Sequence, residues 1–232
     1  MKAGAPSTGD GPHIAGIASL IGDRARADVL TALMGGQALT ATELAGVAGV
    51  GKATTSVHLA KLVEGRLVAV ESQGRHRYFR LADGDVAELL ESLMGVAYRA
   101  GALRLKSSPR EPALRKARVC YDHLAGDLGV FACERMHQRR FLRHGDAGLQ
   151  LTPAGDRFVS ALGIDPAAHR GARRPACRLC LDWSERRHHL AGSIGAAMLD
   201  RIYALGWATR ERDSRVVRFS TAGEQAFRHA LD

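Results

Sequence analysis

The sequence has few aromatic residues, few cysteines and no long apolar segment. Phe, Trp and Tyr together make up 5% of its 232 residues, and four residues are cysteine. No stretch is long and apolar enough to span a bilayer, and positions 1–11 lack the apolar core of a secretory signal. We therefore expect a cytoplasmic protein without a membrane partner, whose cysteines are thiols, metal ligands or redox groups rather than structural disulfides.

Sequence motifs of common enzymes are also missing. The chain has no Walker loop, no dinucleotide-binding fingerprint and no pair of carboxylates arranged for acid–base catalysis. Two histidines, His123 and His189, recur in similar surroundings, but no nucleophile pattern accompanies them. The sequence therefore predicts that the protein is not an enzyme.

Positive charge is what the composition has in excess. The formal net charge is +9 and the isoelectric point is near 9.9, which favours a polyanionic partner such as nucleic acid. Apolar residues account for 46% of the chain, and its length is sufficient for two domains that each bury a core.

An amphipathic helix is predicted from Lys52 to Glu64. Thr55, Leu59 and Leu62 recur at i, i+4 and i+7, so they share the face that packs on a core. The other face carries small, polar or methyl-bearing side chains, which suit the base edges of a DNA major groove. These candidate DNA-binding residues are Lys52, Thr54, Ser56, Val57, His58 and Lys61. A solvated amphipathic helix without a DNA partner is the alternative interpretation.

A basic hairpin is predicted directly after this helix. Segments 68–72 and 77–81 alternate and contain β-branched or aromatic residues, with a turn between them. Arg75, His76 and Arg77 lie at or near the tip, where they suit contact with phosphates or a minor groove. An ordinary exposed hairpin with charged edges is the alternative.

These motifs resemble the ArsR/SmtB group of bacterial winged-helix repressors over positions 13–100. IASLIGDRARADVLTAL is similar to the second-helix region of that group, TATELAGVAGVGKATTSVHLAKL to its helix-turn-helix and ESQGRHRYFRL to its wing. The resemblance implies a homodimer that binds a palindromic operator in double-stranded DNA. In one departure, Arg66 occupies a turn position that is commonly glycine. The usual metal ligands of the group are also missing from 42–48 and 85–100.

A long helix with a broad apolar stripe is predicted from Asp85 to Leu105. The stripe comprises Val86, Leu89, Leu90, Leu93, Val96 and Ala97. It is wider than a small domain covers, which indicates a further partner. That partner is either the same helix of a second subunit, as the resemblance implies, or the C-terminal half of the same chain.

The C-terminal half contains an internal repeat. The tetrapeptide HLAG at 123–126 returns at 189–192, and LTPAGDRFVSALG from Leu151 is matched by FSTAGEQAFRHAL from Phe219. We predict that each repeat is a winged-helix-like unit with a helix bearing small residues on one face, a hairpin and a closing helix. The HLAG segments are interpreted as packing surfaces.

The predicted fold is mainly α with short β-hairpins, in two domains. We expect a disordered tail at 1–12, a winged helix-turn-helix DNA-binding and dimerisation domain at 13–105, a linker at 106–113, and a sensor or effector domain at 114–232 with repeats at 114–163 and 177–232.

Cysteine and histidine spacing supplies the chemical signal in the second domain. Cys120 with His123, and Cys177 with Cys180, form two pairs whose ligands have the number and type that tetrahedral zinc uses. Three interpretations stay open: a bound metal or metalloid, with zinc as candidate cofactor; a redox or persulfide switch; and thiols that only fill space. Nearby arginines are expected to lower the thiol pKa. Residues that could replace one of these ligands are Cys133, His188 and His189.

These observations predict a dimeric, sequence-specific DNA-binding repressor. Release from DNA is expected when the second domain senses a thiol, redox or metal signal. The alternatives are a DNA-binding protein without an effector, whose cysteines hold structural zinc or are inert, and a regulator that binds a small organic ligand.

Overall fold

The computed structural model describes residues 12–74, 76–102, 111–145, 148–170, 174–212 and 214–232, without the side chains of Tyr98 and Glu111. Of the predicted tail at 1–12, only Pro12 lies within the described residues, and of the predicted linker at 106–113, only the last three positions do. Those three positions are helical rather than linker. No helix in the described part is long and apolar enough to cross a membrane.

The N-terminal unit is a winged helix-turn-helix, which confirms the prediction for this part of the chain. Its elements are α1 (Ile14–Ile21), α2 (Arg24–Leu33), β1 (Leu39–Thr40), α3 (Ala41–Ala48), α4 (Lys52–Glu64), β2 (Val68–Gln73), β3 (His76–Leu81) and α5 (Gly84–Arg99). The strands form an antiparallel sheet in the order β1-β3-β2. The helix-turn-helix is α3 and α4, and the wing is β2 and β3.

Local signals fix the ends of these helices. The Thr40 hydroxyl accepts from the backbone N–H of Glu43 at 3.3 Å, and the Glu43 carboxylate accepts from the N–H of Thr40 at 2.7 Å, so α3 begins with a capping box. Gly49 ends α3 with a φ of +65°. After α4, Arg66 has a φ of +56°, which costs a residue other than glycine about 1–2 kcal/mol. The departure from glycine noted at Arg66 is therefore a strained turn.

The second unit runs twice through the order hairpin, helix, hairpin, helix. After α6 (Glu111–Lys116), the first run comprises β4 (Arg118–Cys120), β5 (His123–Ala125), α7 (Asp127–Gln138), β6 (Leu142–Gly145), β7 (Gly148–Leu151) and α8 (Pro153–Ala161). A 3-10 helix at Pro166–His169 follows. The second run comprises β8 (Arg178–Leu181), β9 (His188–Ala191), α9 (Gly192–Ala204), β10 (Ala208–Arg210), β11 (Val217–Phe219) and α10 (Thr221–Leu231).

The HLAG segments are the ends of hairpins, not the helical segments that we predicted. In each repeat the histidine, leucine and alanine are buried in a strand, and the glycine turns the chain into the next helix. Gly126 and Gly192 have φ values of +85° and +88°, which only glycine adopts readily. A buried strand of three residues has no polar alternation, so its periodicity does not distinguish it from a buried helix.

The two repeats interlock, with α7 packed on β9 and α9 packed on β5. Glycines permit the close approach. A Cβ at Gly129 would lie 2.5 Å from the Leu124 carbonyl oxygen and 3.5 Å from the Cβ of His189. Gly195 mirrors this arrangement, 2.5 Å from the Leu190 carbonyl oxygen and 3.4 Å from the Cβ of His123. The small residues therefore serve packing, as predicted.

The hydrophobic core of the N-terminal unit extends into the second unit. Its members from α2 and α4, such as Leu30 and Leu59, belong to one buried cluster with Cys120 and Ala125. The backbone N–H of Tyr121 also donates to the carbonyl oxygen of Met34 at 2.7 Å. The other core lies between the two repeats. The two units therefore share buried surface.

A buried ion pair joins the repeats. Arg118 at the start of β4 donates from Nη2 to Oδ1 of Asp182 at 2.8 Å, and neither side chain is exposed to solvent. The other Asp182 oxygen accepts from the backbone N–H of Gly126 at 2.7 Å. The Arg118 guanidinium stacks over the Trp183 ring at 4.5 Å, and Glu91 of α5 lies 3.7 Å from it. One guanidinium thus contacts both repeats and the N-terminal unit.

We predict that Arg118→Met lowers the free energy of unfolding by about 3–5 kcal/mol, because it removes the guanidinium that contacts two buried carboxylates, Asp182 and Glu91. The matched control is Arg187→Met, since Arg187 pairs with Glu134 at 2.8 Å on the surface, and we expect a loss below about 1 kcal/mol. Denaturant unfolding measures both. Equal losses in the two variants would show that the buried pair has no special role in stability.

Candidate nucleic-acid interface and metal centre

The face of α4 that we predicted to contact DNA is largely open to solvent. Thr55, Leu59 and Leu62 are buried against the core, as their spacing predicts. Among the candidate DNA-binding residues, those with exposed side chains are Lys52, Thr54, Ser56, Val57 and Lys61. Val57 is 56% exposed, and its methyl groups suit contact with a thymine methyl group. The face combines cationic, hydroxyl and methyl groups.

His58 differs from the other predicted DNA-binding residues. Its side chain is 15% exposed, and its Nδ1 lies 3.8 Å from Oδ1 of Asp23 and 3.5 Å from Nη1 of Arg26. Asp23 also caps α2 by accepting from the backbone N–H of Arg26 at 3.0 Å. The structure therefore places His58, which lies on α4, against the start of α2.

The wing carries exposed basic residues beside α4. His76 and Arg77 pair in register with Gln73 and Ser72 and are exposed. Arg77 lies over the ring of Phe79, with its Cζ 5.5 Å from the ring centroid. Arg75 lies outside the described residues. The exposed part of the wing can contact phosphates while α4 faces the groove.

A second cluster of functional groups lies between the repeats. Cys120, His123, Cys180 and His189 each point one ligand atom to a common centre, and these atoms lie within 4.8 Å of one another. The Nε2 atoms of the two histidines are 3.1 Å apart. Three of the four residues are buried, and Cys180 is half-buried. The structure thus brings Cys120, His123 and Cys180 together as predicted, with His189 as the fourth member.

Cys177 does not belong to this cluster, although we predicted it. It is packed in the core between the repeats, one residue before β8 begins, whereas Cys180 lies within β8 opposite His189. The cross-strand partner, not the C-x2-C neighbour, is therefore adjacent in space. Of the other substitutes, His188 is exposed and Cys133 is buried in α7. The recurrence of HLAG was the signal in the sequence that pointed to His189.

Each histidine of the cluster faces a carboxylate with its remaining ring nitrogen. The Nδ1 of His123 lies 3.1 Å from Oδ1 of Asp122, and the Nδ1 of His189 lies 3.4 Å from Oδ2 of Asp182. Burial disfavours the charged imidazolium of His189, but Asp182 and Cys120 outweigh burial and raise its pKa to about 9. Both rings are thereby oriented with Nε2 towards the centre.

The thiols of Cys120, Cys133 and Cys177 are not activated by nearby arginines, contrary to our expectation. The neighbouring Cys180 and burial together raise the pKa of Cys120 far above its ordinary range. Burial also raises the pKa of Cys133 to about 12 and that of Cys177 to about 11. Guanidinium groups near the cluster are paired with carboxylates instead, as Arg174 is with Asp122 and Arg178 with Glu88. Burial therefore affects the pKa of these thiols more than the nearby positive charges do.

A pocket of about 590 Å³ opens next to this cluster, between α5 and the second unit. Three of the cluster residues, Cys120, His123 and Cys180, form part of its wall. The opposite wall comes from the start of α5, and the rim includes Arg174 and Arg178. The cluster is thus buried but accessible from solvent on one side.

Comparison with known proteins agrees with the N-terminal fold. A helix-turn-helix domain family matches residues 21–71. The HTH-type transcriptional regulator YdfF of Bacillus subtilis (strain 168) is 42% identical over 221 residues, which cover 95% of this chain and 98% of YdfF. The chain belongs to this family of helix-turn-helix transcriptional regulators. The recognition made from the sequence, a DNA-binding winged helix-turn-helix regulator, is therefore confirmed.

Two solved winged-helix or metal-sensor structures resemble part of this chain. The homodimeric winged helix-turn-helix domain of a possible ArsR-family regulator from Mycobacterium bovis is 24% identical, covers 41% of this chain and 87% of that domain, and has a TM-score of 0.36. The cadmium sensor CMTR from Mycobacterium tuberculosis is 25% identical, covers 41% of this chain and 94% of its own, and has a TM-score of 0.32.

We predict that variants of α4 and of the wing have different effects in DNA-binding assays. Thr54→Ala should lose about 1–3 kcal/mol of preference for the base that it contacts. Arg77→Ala should weaken binding to all sequences and reduce the slope of log K against log salt by about 1. Arg157→Ala, which removes an exposed arginine in the second unit, is the control and should leave the slope unchanged. A change of base preference alone in Arg77→Ala would contradict the phosphate role of the wing.

Proposed function

We propose that the protein is a dimeric, sequence-specific transcriptional repressor whose second unit controls its release from DNA. The observation that carries this proposal is the exposed face of α4 beside an exposed basic wing, in a chain with a net charge of +9. Such a face has little use in packing, because its opposite side already fills the core. It suits a major groove, with the wing on the adjacent backbone.

The dimer proposal is supported by α5, which presents three different faces. Val86 and Leu90 are buried in the N-terminal core. Glu91 faces Arg118 of the second unit. Leu89, Leu93 and Val96, at i, i+4 and i+7, form an exposed apolar stripe. One face of α5 thus contacts the second unit of the same chain, and another is exposed. The exposed stripe suits contact with the same stripe of a second copy.

A symmetric dimer implies a symmetric operator. Two α4 helices related by a two-fold axis enter successive major grooves, so we propose a palindrome with half-sites about 10 base pairs apart, or a multiple of that spacing. The resemblance implies a bacterial host, in which DNA lies in the cytoplasm. We therefore propose that the protein is cytoplasmic. We also propose that it has no enzymatic activity.

The second unit, which we assign to 114–232 as a sensor domain, is placed to affect the first. Cys120 and Ala125 lie in the N-terminal core, and α5 packs on β8. A shift of the second unit therefore changes the support of α5 and, through a dimer, the spacing of the two α4 helices. We also propose that each repeat of the second unit is a winged-helix-like unit.

A small organic ligand is a second candidate signal. The pocket of about 590 Å³ between α5 and the second unit supports it, because such a volume is within the range of ligand sites. Its wall also includes Arg174 and Arg178, each paired with a carboxylate. A ligand there would contact the same elements as the buried cluster.

The dimer is tested by Leu93→Glu, which places a charge in the exposed stripe, where Leu93 is 41% exposed. We expect a monomer in analytical ultracentrifugation and a footprint that shrinks from two half-sites to one, with weaker binding. The matched control is Leu205→Glu, at a residue 38% exposed at the end of α9, which should stay dimeric. A dimer that persists in Leu93→Glu would exclude this stripe as the interface.

A further inference from the structure

We propose that Cys120, His123, Cys180 and His189 bind one Zn²⁺ ion in a closed tetrahedral site that joins the two repeats of the second unit. The metal site itself does not depend on the repressor proposal. Its use as a signal rests on that proposed function.

The positions of the ligand atoms fit a tetrahedron around a small cation. Zinc–nitrogen bonds of about 2.0–2.1 Å at the tetrahedral angle place two nitrogens about 3.3 Å apart. The two Nε2 atoms are 3.1 Å apart. All four ligand atoms lie within 4.8 Å of one another, so small side-chain movements suffice to bring the sulfurs to their bond length of about 2.3 Å.

The backbone supplies the ligands in two equivalent pairs. Cys120 of β4 lies directly opposite His123 of β5, and Cys180 of β8 lies directly opposite His189 of β9. Directly opposed residues in antiparallel strands project from the same side of the sheet. Because β5 and β9 also pack against each other, both hairpins direct a thiol and an imidazole to one point. The arrangement follows from the fold of both repeats, which makes a chance cluster improbable.

Outer carboxylates complete the pattern of a metal centre. A histidine that binds a metal through one ring nitrogen usually donates its other N–H to a carboxylate or carbonyl group. The Nδ1 of His123 is within hydrogen-bond distance of Asp122, and the Nδ1 of His189 lies 3.4 Å from Oδ2 of Asp182. Asp122 is in turn held by Arg174, whose Nη2 donates to Oδ1 at 2.9 Å, and Asp182 is held by Arg118. Each imidazole is fixed with Nε2 towards the centre.

The ligand set selects the chemical class of the metal. Two thiolates and two imidazoles in a tetrahedral arrangement are typical of zinc, whereas magnesium and calcium require oxygen ligands. On binding, the S–H bond of each thiol and the N–H bond of any protonated Nε2 break, these protons leave to solvent, and two S–Zn and two N–Zn bonds form. The arginines on the rim do not oppose the cation strongly, because Arg174 and Arg178 are paired with Asp122 and Glu88. The adjoining pocket gives the ion access.

The site is also connected to the DNA-binding unit at two points. Cys120 is a member of the N-terminal core, and the next residue, Tyr121, is hydrogen-bonded to Met34 after α2. On the other side, Asp182 behind His189 binds Arg118, which faces Glu91 of α5. Moving the four ligands onto a metal therefore acts on the structures that position α2 and α5.

The test begins with the full chain, purified without added chelator, then stripped and reloaded with Zn²⁺ or Co²⁺. We expect one zinc per chain by elemental analysis. Cobalt should give the intense visible bands of a tetrahedral site together with a thiolate charge-transfer band. Zinc should raise the unfolding temperature of the stripped protein. None of these readouts involves DNA, so failure of the repressor proposal would leave them unchanged.

Cys180→Ala and Cys177→Ala are the matched variants, because both remove one thiol but only Cys180 belongs to the cluster. Cys180→Ala should lose the stoichiometric zinc and at least part of the thiolate band, while Cys177→Ala should keep both. His189→Gln provides a second variant at the cluster, and circular dichroism reports whether each variant folds. If Cys180→Ala and His189→Gln do not fold, the cobalt spectrum of the wild type decides between four-ligand thiolate coordination and none.

Three results would overturn the proposal. The first is absence of stoichiometric zinc in a folded wild-type chain, even after reloading. The second is equal loss of zinc in Cys177→Ala and Cys180→Ala. The third is a disulfide between Cys120 and Cys180 in the protein purified without reductant, with no metal bound after reduction, which would assign the cluster to thiol oxidation instead.

Discussion

The buried contact between Arg118 and Asp182 is the interaction on which the second unit depends. Both side chains are inaccessible to solvent. Removal of one partner from such a buried ion pair strongly destabilises the fold. Asp182 also accepts from the N–H of Gly126, where α7 begins, and faces His189. A single carboxylate therefore fixes the start of a helix in one repeat and an imidazole in the other, while Arg118 extends the contact to α5. Burial disfavours the charge of Asp182, but His189 and Arg118 outweigh burial and hold its pKa well below the usual range.

The N-terminal unit could be predicted from the sequence because its signals are local. The capping residue Thr40, the glycine that ends α3 and the periodic Leu59 and Leu62 each act within a few residues. The metal ligands could not be fully predicted, because His189 meets Cys180 only through the register of β8 and β9 across an irregular connection. Short buried strands give no alternation, so the hairpins that hold the ligands were not recognised. The repeated HLAG sequence pointed to His189, but we interpreted it as a packing surface and not as the position of a metal ligand.

The buried cluster and the DNA-binding face are related through α5. Its core-facing side supports α2 and α4, its acidic side faces Arg118 and Arg178, and its exposed apolar stripe is available to a second copy. An effector site that contacts one side of such a helix can alter the geometry of the other two, provided that the two states differ in their contacts to the effector. Cys120 belongs both to the cluster and to the N-terminal core. A change in the contacts of the cluster therefore acts directly on that core.

We propose that occupancy of the cluster in the second unit changes the affinity of the protein for DNA. The most direct measurement is the operator dissociation constant of the metal-free and zinc-loaded full chain, at one fixed salt concentration, with Cys180→Ala carried through the same steps. We predict that zinc weakens operator binding by about 5- to 150-fold, the usual range of allosteric coupling, and that Cys180→Ala does not respond. Equal affinities of the metal-free and zinc-loaded wild type would contradict it.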